Sequence, residues 1–148
     1  MKLKIGIMMA CLLAGTSAFA QSMEEDILVL INKYRKKHGL AKLEMVSAIS
    51  AEAEKHSRNM ATGHTGFGHS GFDDRLNRLM RKLPGSNAGA ENVAYGARTA
   101  EKVVDMWLNS PGHRKNIEGN YNLTGIGAIK GKDGTTFYTQ IFIRQRSR

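Results

Sequence analysis

Between Ile117 and Leu123 the hydrophobic period of this chain changes, and that break limits its architecture more than any other feature. Before it, apolar side chains recur three and four positions apart: Ile27, Leu30, Ile31 and Tyr34; then Ile49, Ala53, His56 and Met60; then Leu76, Leu79 and Leu83; then Val103, Val104 and Trp107. That spacing predicts amphipathic helices. After the break, "LTGIGAI" and "TTFYTQIFI" are β-rich runs separated by "KGKDG", whose Asp133-Gly134 pair is a strong hairpin signal. Helices followed by a terminal hairpin imply an α+β domain in which helices cover a small antiparallel sheet.

The element ends carry their own signals. Ser22 and Glu25 form an S-x-x-E capping box for a helix over residues 23–38, stopped by Gly39. A link over residues 40–45 leads to a second helix within "VSAISAEAEKHSRNMA", ended by Gly63. Asp73 or Asp74 is positioned to cap a third helix, which Pro84-Gly85 terminates. Residues 85–90 read as loop, and "ENVAYG" as an edge strand or an extended segment. Thr99 caps a fourth helix, and Ser110-Pro111-Gly112 is expected to break it before a single turn from His113 to Ile117.

The first twenty residues, MKLKIGIMMACLLAGTSAFA, have lysines, an apolar run and small residues ending at Ala20, the pattern of a secretory signal peptide cleaved before Gln21. The apolar run is short for a membrane span, so an exported protein, secreted or periplasmic and not integral to the membrane, is expected. Residues 21–148 then suit one ordinary domain. Cys11 is the only cysteine and leaves with the leader, so no disulfide supports the mature chain. The net charge of +9 includes two leader lysines and no leader acid, which leaves +7. The basic residues are dispersed and lack interleaved aromatics, which argues against nucleic acid and for contact with anionic envelope polymers.

Five histidines sort by position. His38 ends a helix, where a cation suits the dipole. His56 lies on an apolar helical face and reads as a packing residue. His64, His69 and His113 lie on glycine-rich or Pro-Gly segments, where side chains can converge on a site. The repeated phrase "GHTGFGHSGF" puts His64 and His69 five apart, a poor spacing for a zinc clip. Glu91, between the flexible "GSNAGA" and an apolar run, stands at the edge of the packed body, suited either to a histidine partner or to tying down loop amides. There is no G-x-S-x-G elbow, no HExxH and no phosphate-binding glycine loop.

Taken in order, "AEKHSRNMATGHTGFGHSGF", "AENVAYG", "VVDMWLNSPGHRKNI", "GIGAI" and "FYTQIF" resemble the cysteine-rich secretory, antigen five and pathogenesis-related (CAP or SCP) superfamily, in its short bacterial form. The resemblance implies a three-layer α–β–α sandwich with a cleft in which the wider family places two histidines and two glutamates. His69, Glu91 and His113 match three of them, and Ser110 stands where eukaryotic members have the second glutamate. The same match implies that Phe67 anchors its loop in the core, that His64 is a solvated or helix-capping bystander, and that Arg75, Tyr138 and Gln140 border the cleft with Ser110. Asn92 is expected to bridge loop amides, Asn116 to cap the turn after His113, and Arg114 to meet an acid or the cleft.

The resemblance implies a binding module whose cleft takes a divalent metal such as zinc through His69 and His113, a small apolar ligand, or both. Glu91 is better suited to orienting an imidazole than to ligating the ion. A hydrolase or peptidase using His69, Glu91 and His113 is the alternative, weakened by the serine at 110. An adhesion or virulence-type interaction through the basic surface is the third reading.

Overall fold

A computed structural model describes residues 21–146, so the expected leader and its cleavage point after Ala20 lie outside the described residues. Along the chain the elements are α1 (Met23–Lys37), β1 (Glu44–Met45), α2 (Ser47–Ala61), α3 (Phe72–Lys82), β2 (Ser86–Tyr95), α4 (Ala100–Leu108), α5 (Pro111–Ile117), β3 (Leu123–Lys130) and β4 (Thr136–Gln145). The Ser22 capping box is formed, with Glu25 N–H donating to Ser22 Oγ and Ser22 N–H donating to Glu25 Oε2, both at 3.2 Å. Thr99 caps α4 by accepting from Lys102 N–H at 3.2 Å.

The sheet order is β1-β3-β4-β2. The β3–β4 hairpin and the β2–β4 pair are antiparallel, whereas the two-residue β1, within the expected link, pairs parallel to β3. Central strand β4 explains the layering. Tyr138 and Phe142 face one way, into a core with Ile27 and Ile31 of α1, Val103 and Trp107 of α4 and Ile117 of α5. Ile141 and Ile143 face the other way, onto Ile49 and Ala53 of α2 and Leu79 of α3. Each fully buried side chain of this size contributes about 1.5–3 kcal/mol, so both faces of β4 are strongly committed.

Two glycines let α2 lie directly on the sheet. A Cβ on Gly125 would overlap the backbone of Ile49 and Ser50, and one on Gly127 would overlap that of Glu54. The opposite layer is locked by Arg35, only 2 % exposed. Its guanidinium donates to the carbonyls of Ala41 (2.7 Å), Ile117 (2.6 Å), Gly119 (3.0 Å) and Tyr121 (3.1 Å), joining the end of α1 to the end of α5.

Several expected boundaries are corrected. Residues 86–90 are strand, because the small side chains of "SNAGA" let β2 run the length of β4 while Leu76 sits on Gly89. Gly71, at φ 74°, is the N-cap of α3, and Asp73 and Asp74 lie in its first turn. Pro111 does not delay the next helix: it occupies the first turn of α5, where its missing N–H is no loss, and Ser110 is the N-cap.

Candidate functional site

The free edge of β2 brings the two helical layers together. Gly96 N–H donates to Thr136 O, so the even-numbered backbone groups of this segment face β4 and the odd-numbered ones face outward. Trp107 Nε1–H reaches the outward carbonyl of Val93 at 3.1 Å, and Asn116 Nδ2–H reaches that of Glu91 at 3.2 Å. Asn116 also donates to Asn92 Oδ1 at 2.8 Å, and Asn92 Nδ2–H donates to His113 O at 3.1 Å. Asn92 and Asn116 therefore fasten α5, and with it His113, to the strand that carries Glu91.

Glu91 points toward α2 and α3 and is 5 % exposed. Arg75 closes on it in a fork, with Nε to Oε2 and Nη2 to Oε1 both at 2.9 Å. Oε1 also lies 3.0 Å from His69 Nδ1. A carboxylate held by a guanidinium accepts, so Nδ1 carries the proton and the lone pair of His69 sits on Nε2, on a side chain that is 52 % exposed. The loop around it is held from below. His56 Nε2–H donates to Gly68 O and Arg75 Nη1–H to Ser70 O, both at 2.8 Å, so the carbonyls on either side of His69 are fixed.

His113 is half-buried. Burial, and then the charge that His69 would carry, hold its pKa below the ordinary histidine value, so it presents a neutral imidazole near pH 7. His56 is depressed by burial as well, with Arg75 and His69 adding to the effect and the Gly68 carbonyl and Glu91 opposing it. The two site histidines line separate hollows. His69 borders one of about 410 Å³ with Asp73 and Asp74, and His113 borders one of about 220 Å³ with Ser110 over apolar walls.

His69, Glu91, Arg75, Ser110 and His113 thus gather along one edge, and other expected positions differ. Phe67 is 51 % exposed and meets Tyr95 edge-on at 4.7 Å between ring centroids, so its ring packs on the exposed end of β2 and not in the core. Tyr138 is fully buried and donates to Ala97 O at 2.9 Å, while Gln140, also buried, donates to Thr124 Oγ1 at 3.1 Å. Both side chains lie on the α1/α4 face of β4, inside the packed layer. His64 is exposed. His56 was missed as a support of the site because its partner, Gly68, is 12 residues away and leaves no local pattern.

The donor set falls short of a resident zinc centre. Such sites use three or four protein ligands, and among the described residues no three His, Cys, Asp or Glu side chains are grouped to hold an ion. Glu91 is occupied by Arg75 and His69, so a cation here would have only the two imidazoles.

Comparison with known proteins bears on the same residues. Residues 28–142 match the sequence profile of the cysteine-rich secretory protein family, CAP. The chain is 36% identical over 127 residues to the uncharacterized protein YkwD of Bacillus subtilis (strain 168), covering 81% of this chain and 46% of that protein. It is 35% identical over 125 residues to the uncharacterized membrane protein YlbC of the same organism, covering 82% and 34%. The chain thus spans between a third and a half of these relatives' length. Its fold superposes on the crystal structure of an extracellular SCP-domain protein from Bacillus anthracis str. Ames with a TM-score of 0.70 and 32% identity, covering 83% of this chain and 40% of that one.

Proposed function

This chain belongs to the cysteine-rich secretory protein (CAP) family, and from that premise we propose that it is an extracellular binding module that recognises a small ligand at the edge of β2 through His69 and His113. The observation that carries this reading is the His69–Glu91 hydrogen bond. It fixes one imidazole nitrogen as donor inward and leaves the other as acceptor outward, beside a second imidazole that burial keeps neutral. Two imidazoles suit a hydrogen-bonding ligand, or a divalent ion such as zinc whose remaining positions are filled by water or ligand. An extracellular setting is supported by the similar Bacillus anthracis protein, and among the described residues no helix is long and apolar enough to cross a membrane.

An imidazole oriented by a carboxylate is also the arrangement of a general base, which keeps hydrolysis as the second reading. Ser110 offers no second carboxylate for it. The test is a calorimetric zinc titration of residues 21–148 and of His69→Ala and His113→Ala, with peptide and cell-wall hydrolysis assayed with and without chelator. Heat that both substitutions remove supports a two-imidazole site, and absence of heat from the unaltered protein rejects the metal component. Histidine-dependent turnover would replace the binding reading with the catalytic one. The basic surface is a separate proposal: adhesion through it predicts salt-sensitive binding that survives both substitutions.

A further inference from the structure

We infer that the hollow of about 220 Å³ beside His113 is a subsite for a single apolar amino-acid side chain, branched aliphatic or aromatic, attached to a polar group that His113 contacts. The inference rests on the binding reading above and specifies the ligand of that same edge. The walls are Val93, Ala94, Met106 and Trp107, with Phe67 and Tyr95 at the rim. The only hydrogen-bonding side chains apart from the rim tyrosine and the wall indole are Ser110 and His113. Trp107 Nε1–H is already committed to Val93 O and its ring is buried behind Val93 and Ala94, so it adds no free donor to the hollow.

Three observations point the same way. Of the four large hydrophobic side chains exposed among the described residues, Phe67, Tyr95 and Met106 border this one hollow, at 51%, 52% and 37% exposure. Scattered exposed apolar residues are normal, whereas a cluster around a concavity marks a contact site. Size then limits the occupant. Pockets for drug-sized ligands run from about 300 to 1,000 Å³, so this one takes a side chain and is too small for a fused-ring lipid or a long acyl chain. Position 110 supplies the third. A carboxylate at this lining position would put a charge in the hollow, and burying an apolar group against it would strand that charge. Ser110 is small and uncharged, so the lining stays neutral where an apolar group would sit.

Trp107 is the only tryptophan in the chain and lies buried against the hollow, so its emission senses a change in the packing of the wall. Titration with N-acetyl-leucinamide and N-acetyl-phenylalaninamide is expected to give a saturable change in Trp107 emission, with no saturable change from N-acetyl-glycinamide. Ser110→Leu fills the mouth from an N-cap position whose side chain makes no capping hydrogen bond, and it should abolish the response while leaving the urea midpoint in place. Phe67→Ala, at an exposed rim position, should weaken binding about five-fold, roughly 1 kcal/mol. An equal response to the glycine derivative, or an unchanged response in Ser110→Leu with the fold intact, overturns the inference. Should Ser110→Leu lower the urea midpoint, the Phe67→Ala titration decides alone: unchanged affinity there also overturns it. Failure of the subsite leaves the histidine-dependent zinc heat untouched, and failure of the two-imidazole site leaves the side-chain response of Trp107 standing, so the two are distinguishable.

Discussion

Replacing Glu91 with glutamine removes one charge and almost no volume, at a position where three side chains converge. The amide oxygen of Glu91→Gln can still accept from Arg75. Its amide nitrogen then faces a second guanidinium N–H or the Nδ1–H of His69, donor against donor. Glu91 and Arg75 are 5% and 6% exposed, so water cannot replace what is lost. Removing one partner of a buried pair costs about 3–5 kcal/mol, a large part of the roughly 5–15 kcal/mol that holds a domain together. Urea unfolding followed by Trp107 fluorescence measures the cost, with an unchanged m-value as the condition for reading it as stability. Arg75→Met should cost a similar amount by stranding the carboxylate. The double variant should recover about 1–3 kcal/mol of the summed loss, because neither charge then remains alone. The site changes as well: NMR of the His69 ring should show the proton on Nδ1 in the parent and a mixture of tautomers in Glu91→Gln. A single-variant loss below about 1 kcal/mol, the range of an exposed ion pair, would refute the reasoning, as would an unaltered His69 tautomer.

Gly125→Ala should destabilise by about 3 kcal/mol, the upper end of overpacking costs, because the new methyl meets α2 backbone that cannot rotate away; thermal unfolding measures it, and a loss under about 0.5 kcal/mol would contradict the close seating of α2. Arg35→Met should cost at least about 3 kcal/mol by leaving the carbonyls of Ala41, Ile117 and Tyr121 without the donor they have from Arg35, while Gly119 O keeps Tyr121 N–H, each such loss being worth about 1–3 kcal/mol. Arg35→Lys should rescue only part of it, since an ammonium cannot match the planar fork. His56 and His113 both have folded-state pKa values lowered by burial, so above the ordinary value of about 6.5 folded and unfolded chains hold the same neutral rings. Below it the unfolded chain takes up protons first, and stability falls as pH drops through the folded-state values. Urea midpoints from about pH 8 to about pH 5 should therefore decline, and a His56→Gln/His113→Gln variant should decline less steeply.

What could be read from sequence follows the range of the interactions involved. The helical stripes of α1, α2 and α4, the Ser22 box, the Thr99 cap and the Asp133-Gly134 turn depend on neighbours a few residues apart, and all of them are present. That His69 and Glu91 share a site followed from ordered resemblance, since the 22 positions that separate them carry no periodicity that would join them. Residues 86–90 were misread because "SNAGA" has no side chains large enough to alternate; β4 and Leu76 decide their conformation. The resemblance placed Tyr138 and Gln140 at the cleft, and the sequence alone could not correct it, because strand parity says which residues share a face and not which helices cover that face. Nothing local in the sequence marks Arg35, because only the return of the chain at residues 117–121 supplies three of its four acceptors.

The fastening of β2 by Trp107 and Asn116 has a consequence for how the protein behaves at high concentration. An exposed edge strand is a template on which a second molecule can add its own strand. Here the outward carbonyls of Glu91 and Val93 are already taken by side chains from α5 and α4. Trp107 and Asn116 therefore also deny the edge to other copies of the chain. Trp107→Phe and Asn116→Ala should each shorten the time to visible aggregation under mild heating by more than their loss of stability alone predicts, and the segment recruited first would be the strand that carries Glu91.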